Sequence, residues 1–259
     1  MFINAVEKIG TLNFLKDFDF SGLGIEMNTH DCNRCHGIKK CSTVKGRVIQ
    51  PCPDCEKKDI DEKSYEEKAK TFFYSKLDRK FIKSKFSDYI AKTQDQRNML
   101  ERAKDYAYEY ENGKWCLLMG GQGTGKTMIK NCILREIGER GVSFTNASAI
   151  EIYNKWLDIQ RGHSTSGIME LVMEYTKNDL LVIDEVGRHK ESASMKQFLF
   201  DLVDTMYRNK KSVMLITNLA ISNKDGTSLE NFIDIDRLME QTKTCLRFTW
   251  SSFRRSYNN

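Results

Sequence analysis

The chain has 259 residues, of which 40% are hydrophobic and 30% charged, and its formal net charge is +5. This length suffices for one large domain with a small appendage, and such a chain buries a core without disulfide staples. No apolar run approaches the roughly 18 residues of a membrane span, and no secretory signal opens the chain. We therefore expect a cytoplasmic protein without a membrane partner. Its mildly basic charge permits contact with nucleic acid but does not demonstrate it.

The first predicted element is a cysteine cluster, because five of the eight cysteines fall within residues 32–55. In an intracellular chain such clustering favours a metal site over disulfides. Two C-x-x-C pairs stand sixteen residues apart. Each pair presents two thiolates from one tight turn, which suits a tetrahedral Zn²⁺ ion. We therefore predict a small zinc-binding domain over residues 1–58, with Cys32, Cys35, Cys52 and Cys55 as its ligands.

Other interpretations of this cluster stay open. Cys41 and His36 are alternative ligands, and the cysteines could instead be free buried thiols or a redox pair, although no thioredoxin-like βαβ pattern surrounds them. Basic residues among the cysteines offer charge for DNA or merely solvate the domain; they are Arg34, Lys39, Lys40, Lys45 and Arg47. Residues 1–27 predict a short helix that packs locally or docks a partner protein.

Residues 59–80 mix charges of both signs in a helix-forming composition, which predicts a solvated linker helix. The main domain is expected over residues 81–259. Apolar residues recur at helical spacing from Gln94 to Glu111, and the apolar run Trp115–Met119 predicts a strand. A helix followed by a buried strand therefore leads to the next motif.

That motif is Gly120-Gly121-Gln122-Gly123-Thr124-Gly125-Lys126-Thr127, which a helix-like stretch follows from Met128. It is the G-x-x-x-x-G-K-[ST] phosphate loop in its required setting between a strand and a helix. Its glycines let several backbone N–H groups point at one phosphate, and the helix adds the positive end of its dipole. We expect Lys126 to reach the β- and γ-phosphates of ATP and Thr127 to ligate Mg²⁺. The residues expected to bind ATP are Gly120, Gly121, Gln122, Gly123, Thr124, Gly125, Lys126, Thr127 and Met128.

After the loop, apolar strands alternate with amphipathic helices, as an α/β fold with a parallel sheet flanked by helices requires. The predicted strands are Val142–Phe144, Leu180–Ile183, Ser212–Thr217 and Cys245–Trp250. The predicted helices are Ala149–Gln160, Ile168–Thr176, Met195–Arg208 and Ile233–Gln241.

Two of these strands end in side chains that suit nucleotide hydrolysis. Asp184 and Glu185 follow the strand that begins at Leu180, and open α/β sheets bind their ligands at that edge. We expect Asp184 to hold Mg²⁺ through water and Glu185 to polarise the water that attacks the γ-phosphate. Asn218 follows the next strand, where it either orients the attacking water or caps an ordinary turn.

From about Phe81 to Arg254 the chain resembles the AAA+ ATPases of the DnaC/IstB group, most closely the bacterial and phage replicative-helicase loaders. The resemblance rests on the phosphate loop, Asp184-Glu185, Thr217-Asn218, Phe86-Ser87-Asp88-Tyr89, Asp236-Arg237 and Trp250-Ser251-Ser252-Phe253-Arg254. It implies an AAA+ P-loop fold in which Asn218 senses the γ-phosphate, Arg237 is an arginine finger for a neighbouring subunit and Arg254 is a second sensor. A surface or ion-pair role for either arginine stays open, and some family members carry a further arginine where this chain has Ile233.

The resemblance also implies a function. Such proteins load a hexameric, ring-shaped replicative helicase onto single-stranded DNA, and they self-associate through their ATP sites. By analogy alone, the cysteine-rich domain would grip the helicase. Two alternatives are an IstB-like helper of DNA transposition and a nucleotide-gated adaptor with little turnover. Glu185 argues against the adaptor, because a protein that only binds nucleotide needs no carboxylate aimed at water.

Overall fold

The structure is a computed structural model that describes residues 40–42, 49–51, 73–187, 193–223 and 228–253. The chain divides into two compact units, Met1–Ser75 and Lys76–Asn259. The predicted linker, residues 59–80, straddles this division and stays a prediction.

The first unit contains a short antiparallel hairpin of β1 (Lys40–Ser42) and β2 (Ile49–Pro51). Lys40 pairs with Pro51, and Ser42 pairs with Ile49. The four cysteines predicted to bind zinc, and the alternative ligand His36, lie outside the described residues.

The second unit is a sheet flanked by helices. Its strands are β3 (Trp115–Gly120), β4 (Phe144–Ser148), β5 (Leu180–Val186), β6 (Ser212–Thr217) and β7 (Thr242–Phe248). Its helices are α1 (Gln94–Tyr108), α2 (Lys126–Glu139), α3 (Ala149–Gln160), α4 (Ile168–Thr176), α5 (Ala193–Arg208) and α6 (Ile235–Gln241). Short 3₁₀ turns lie at Arg79–Phe81, Phe86–Asp88 and Leu229–Asn231.

The five strands are parallel in the order β4-β5-β6-β3-β7. All six residues of the central strand β6 are buried, whereas the edge strands β4 and β7 contain both buried and more exposed positions. A central parallel strand is covered by helices on both faces, which explains why the four residues between Ser212 and Thr217 are all apolar. The predicted α/β fold with a parallel sheet is confirmed.

The order of the strands determines where ligands can bind. β6 lies between β3, which leads into the phosphate loop, and β5, which ends in Asp184 and Glu185. Because parallel strands end at one edge of the sheet, the carboxyl ends of these three strands lie side by side.

Several predicted boundaries were wrong by a few residues for identifiable reasons. β4 begins at Phe144 rather than Val142, because the Val142 amide donates to Ile137 O at 3.2 Å and completes the end of α2. α6 begins at Ile235 rather than Ile233, because the Asp234 carboxylate accepts from the amides of Asp236 and Arg237 and caps the helix.

Two other boundaries moved for similar local reasons. α1 ends at Tyr108 rather than Glu111, with Glu109 as its C-cap, and its start at Gln94 is fixed by a capping box between Thr93 and Gln96. β7 spans Thr242–Phe248 rather than Cys245–Trp250, since its pairing with β3 begins at Thr242.

Candidate functional site

The phosphate loop joins β3 to α2 through backbone conformations that only glycine adopts readily. Gly125 is the N-cap of α2 and has φ +100°, and Gly120 has φ +144°. A Cβ atom at Gly120 would lie 2.2 Å from Phe248 O, and one at Gly125 would lie 2.9 Å from Tyr89 Cε2. These glycines therefore allow the loop to pack closely on its neighbours and direct its backbone toward the start of α2.

Lys126 is the charged centre of the site, and its residue is only 8% exposed. Its ammonium donates to Gly120 O at 2.6 Å, to Gly121 O at 2.7 Å and to Asn218 Oδ1 at 2.8 Å. Burial lowers the pKa of Lys126 to about 8, and the nearby carboxylates of Asp184 and Glu185 oppose that shift. A phosphate would give this partly desolvated cation a counter-charge, which is the chemistry expected of a phosphate-loop lysine.

The outer side of the loop is held by the segment after β7. Trp250 Nε1 donates to Thr124 O at 3.0 Å, and the Phe253 amide donates to Gly123 O at 2.9 Å. Within the loop, the Thr124 hydroxyl donates to Gly121 O at 2.8 Å. Trp250 and Phe253, which follow β7, therefore position the loop through its backbone carbonyls. The sequence did not predict this role for Trp250. Arg254, the predicted second sensor, lies outside the described residues.

The carboxyl end of β5 carries the two predicted acidic residues. Asp184 Oδ1 accepts from the Glu185 amide at 2.8 Å, which fixes one oxygen of this carboxylate. Glu185 has φ +60°, an uncommon conformation for a residue with a side chain. Backbone strain of this kind clusters at functional sites, where the surrounding structure enforces it.

Asn218 lies at the adjacent end of β6. The Thr217 hydroxyl donates to Val186 O at 2.8 Å and accepts from the Leu219 amide at 3.0 Å, so it ties the ends of β5 and β6 together. Gly187 has φ +78°, and a Cβ atom there would lie 2.2 Å from Leu219 Cδ1. This packing holds Asn218 beside Lys126.

Lys130, one helical turn after Lys126, also belongs to the site, and sequence reasoning missed it. Its side chain is 2% exposed, and its ammonium lies 2.8 Å from Asp184 Oδ2 and 2.7 Å from Asp78 Oδ2. A lysine at this depth almost always has counter-charges. The available signal was a lysine among the apolar residues of α2, between Ile129 and Cys132.

Arg237 is not near the site of its own chain. Its guanidinium forms an ion pair with Asp204, lies 3.5 Å from Asp234 Oδ2 and stacks 5.0 Å from the centre of the Tyr207 ring. Tyr207 packs edge-on against Trp115, the first residue of β3, whereas the phosphate loop starts at the other end of that strand. The structure therefore brings Lys126, Asp184, Glu185 and Asn218 together and places Arg237 at the opposite edge of the sheet.

The donor set fits a Mg–nucleotide. Hard oxygen ligands, such as the Asp184 carboxylate and the Thr127 hydroxyl, are those that Mg²⁺ prefers. Among the described residues there is no cluster of three or more His, Cys, Asp or Glu side chains suited to a metal ion. In the same part of the chain, no helix combines the length and apolar character needed to cross a membrane.

Comparison with known proteins gives a consistent picture. Residues 54–254 match the family described as IstB-like ATP binding protein. The replicative helicase loader DnaC of Escherichia coli (strain K12) is 28% identical over 170 residues, which cover 65% of this chain and 68% of that protein.

Two solved structures share the fold. The crystal structure of the DnaC helicase loader aligns with a TM-score of 0.55 at 18% identity, over 66% of this chain and 99% of that one. The crystal structure of DnaI aligns with a TM-score of 0.54 at 17% identity, over 70% of this chain and 98% of that one. The predicted resemblance to the DnaC/IstB group is confirmed.

Proposed function

Because the chain belongs to the IstB-like ATP-binding protein family, we propose that it is a Mg²⁺-dependent ATPase that loads a ring-shaped replicative helicase onto single-stranded DNA. One observation carries the hydrolytic part: the Lys126 ammonium, the Asp184 and Glu185 carboxylates and the Asn218 amide meet at one edge of the sheet. The similarity to DnaC, a replicative helicase loader, supports the loading part.

Each residue of this site has a distinct task in the proposal. Lys126 and the loop amides bind the β- and γ-phosphates, and Thr127 and Asp184 hold Mg²⁺, which neutralises phosphate charge when bound. Glu185 accepts a proton from the attacking water, and Asn218 orients that water. The strained backbone at Glu185 supports this role, because it sets the direction in which the side chain leaves the main chain before any substrate binds.

We infer that Arg237 acts on the ATP site of a neighbouring subunit. Arg237 lies at the edge of the sheet opposite the phosphate loop, so its side chain does not reach the ATP site of its own chain. A guanidinium supplied by a neighbour makes hydrolysis depend on assembly, because it stabilises charge that develops on the γ-phosphate. Arg254 stays a candidate second sensor on the grounds of its motif alone.

The cysteine-rich unit is proposed to bind Zn²⁺ through Cys32, Cys35, Cys52 and Cys55. The hairpin supports this assignment, because Lys40, which follows the first C-x-x-C pair, pairs with Pro51, which precedes the second. Cys52 follows Pro51 directly, and Cys35 precedes Lys40 by five residues. Native mass spectrometry under reducing conditions tests it: one zinc per chain is expected, with loss of zinc in Cys52→Ser but not in Cys41→Ser.

Binding to the helicase tests the proposed function. The chain should co-purify with the hexameric replicative helicase of its host in the presence of ATP and Mg²⁺, whereas Lys126→Ala should lose ATP binding and loading. A chain that binds ATP but prefers duplex DNA and ignores the helicase would instead indicate the transposition helper.

A further inference from the structure

Lys130 joins the ATP site to a second carboxylate that the proposed reaction does not use. Its ammonium lies 2.8 Å from Asp184 Oδ2 and 2.7 Å from Asp78 Oδ2, with Asn146 Oδ1 as a third partner at 3.3 Å. The lysine is 1% exposed, so water competes little with these contacts. One positive charge is thus shared between two negative ones in a poorly solvated place.

Asp78 lies in the junction segment, Lys76–Asp78, which opens the second compact unit and directly follows Ser75 of the first. The segment is fixed to the unit it opens by several contacts. The Asp78 amide donates to Asn131 Oδ1 at 2.9 Å, and Asn131 Nδ2 donates to Asp78 Oδ2 at 2.7 Å. Asn146 Nδ2 donates to Lys76 O at 2.9 Å. Lys130 therefore completes a polar network between the junction segment and the ATP site.

The charge state of Asp78 agrees with this network. Burial opposes ionisation of Asp78, but the Lys130 ammonium and the Asn131 amide more than offset that effect and lower the pKa of the carboxyl group. At neutral pH Asp78 therefore contributes a carboxylate to the network.

Sharing of one charge makes the two contacts interdependent. A cation held by Asp184 reduces the negative charge available to Lys130 on that side and repels the ammonium. The ammonium is then drawn more strongly to Asp78. Screening by water and salt is weak on the Asp184 side, because the paired side chains of Lys130 and Asp184 are only 2% and 14% exposed.

We propose that Lys130 is a positioning residue that couples Mg–nucleotide binding at Asp184 to the junction segment, so that binding tightens the hold on Lys76–Asp78. The inference rests on the proposed ATP site and deepens it by adding a path along which its occupancy reaches the connection between the two units. No part of the phosphate-loop chemistry itself requires a lysine at this position.

Titration with Mg²⁺ at a fixed concentration of a fluorescent, non-hydrolysable ATP analogue tests the coupling. Lys130→Met removes a competing positive charge from Asp184, so half-maximal binding should need at least threefold less Mg²⁺. Asp78→Asn removes one of the two carboxylates that pair with Lys130, so the ammonium is held more tightly by Asp184. Half-maximal binding by this variant should therefore need at least threefold more Mg²⁺. Lys155→Met, which disrupts an exposed ion pair with Glu174 at 2.6 Å, serves as the control and should not change the midpoint.

Coupling predicts that the two variants change the Mg²⁺ requirement in opposite directions, whereas a merely structural role does not. If Lys130→Met and Asp78→Asn both raise the Mg²⁺ requirement, the network only stabilises the fold and the proposal is wrong. Should Lys130→Met fail to fold, Asp78→Asn still decides, because the Asp78 side chain is 38% exposed and asparagine preserves its shape. An unchanged midpoint in Asp78→Asn also overturns the proposal.

Hydrogen exchange measures the junction segment directly. In the wild-type chain saturated with the ATP analogue, Mg²⁺ should slow exchange of a peptide covering residues 76–80 at least threefold, and Lys130→Met should lose this slowing while it still binds nucleotide. Equal exchange with and without Mg²⁺ in the wild-type chain contradicts the coupling alone. Absence of any nucleotide binding by the wild-type chain contradicts the proposed ATP site, and the coupling with it.

Discussion

The Lys126 ammonium donates a hydrogen bond to Asn218 Oδ1 at 2.8 Å, and this contact joins the phosphate loop to the end of the neighbouring strand. Met119 pairs with Thr217, so the residues that follow them, Gly120 and Asn218, lie at the same carboxyl edge of the sheet. The strand register thus places the Asn218 amide next to the lysine that a phosphate would engage. A phosphate that accepts hydrogen bonds from the Lys126 ammonium therefore also changes the hydrogen bonding of Asn218.

Replacement of Asn218 should separate binding from hydrolysis. In Asn218→Ala, nucleotide affinity should change little, because the loop amides and Lys126 remain, whereas hydrolysis should fall by about 10²–10³-fold with the loss of one positioned polar group. Single-turnover hydrolysis and equilibrium binding measure the two effects. Asn98→Ala, on the exposed face of α1, is the matched control. Equal losses in affinity and rate would indicate that Asn218 only supports the loop.

Glu185→Gln should bind ATP and fail to hydrolyse it. The amide keeps the size of the side chain, and the backbone conformation at φ +60° is equally strained for both residues. Loss of a general base costs about 10²–10⁴-fold in rate. Rapid-quench measurement of phosphate release checks this, with Glu170→Gln on the exposed start of α4 as the control. A variant that retains more than half of the wild-type rate would exclude Glu185 as the base.

Nucleotide affinity should depend on pH through Lys126. Burial lowers its pKa to about 8 in the free protein, and a bound phosphate raises it, so binding above that pH must take up a proton. Affinity is therefore constant below pH 8 and falls as pH rises, by about tenfold per unit at most. Titration calorimetry from pH 7 to pH 9.5 measures this fall. Lys126→Arg should show a flat profile whatever its affinity, because guanidinium stays protonated; a sloping profile in that variant assigns the titration to another group.

Mixtures of two inactive variants test whether Arg237 acts between subunits. Arg237→Ala should bind ATP and lose assembly-stimulated hydrolysis, and Lys126→Ala should lose ATP binding. Mixed assemblies should recover hydrolysis, because an intact Arg237 of one variant reaches the intact site of the other. ATPase rates of each variant alone and of the mixture measure this recovery.

The matched control for Arg237 is Arg208→Ala. Arg208 pairs with the same Asp204 at 2.6 Å, but its side chain is 74% exposed, so its loss should leave hydrolysis unchanged. If the ATPase rate does not recover in a mixture in which both variants have assembled, Arg237 only forms an ion pair within its own chain.

Much of the fold was predictable because strong local patterns agreed with one another. The bounds of α3, α4 and β6 were predicted correctly, since capping residues, apolar spacing and β-branched runs mark them. Boundaries that depend on a hydrogen bond from the next element, such as the start of β4, were less predictable. The gathering of Lys126, Asp184 and Asn218 followed from the rule that parallel strands bind ligands at their carboxyl ends.

The contacts of Lys130 and Trp250 could not be predicted in this way. Lys130 meets Asp78, which is 52 positions away, and Trp250 meets Thr124, which is 126 positions away. Neither contact belongs to a periodic pattern, because each depends on how separate elements pack. A buried cation in a helix is a signal that a partner exists, but only the tertiary structure identifies that partner.

Loading of the helicase onto a closed circle of single-stranded DNA tests the central claim most directly. A closed ring cannot thread onto a circle without ends, so unwinding of a strand annealed to that circle reports loading. With the host replicative helicase, ATP and Mg²⁺, the wild-type chain should increase unwinding strongly and Lys126→Ala should not. Equal unwinding with and without the chain, under conditions where it binds ATP, would contradict its function as a helicase loader.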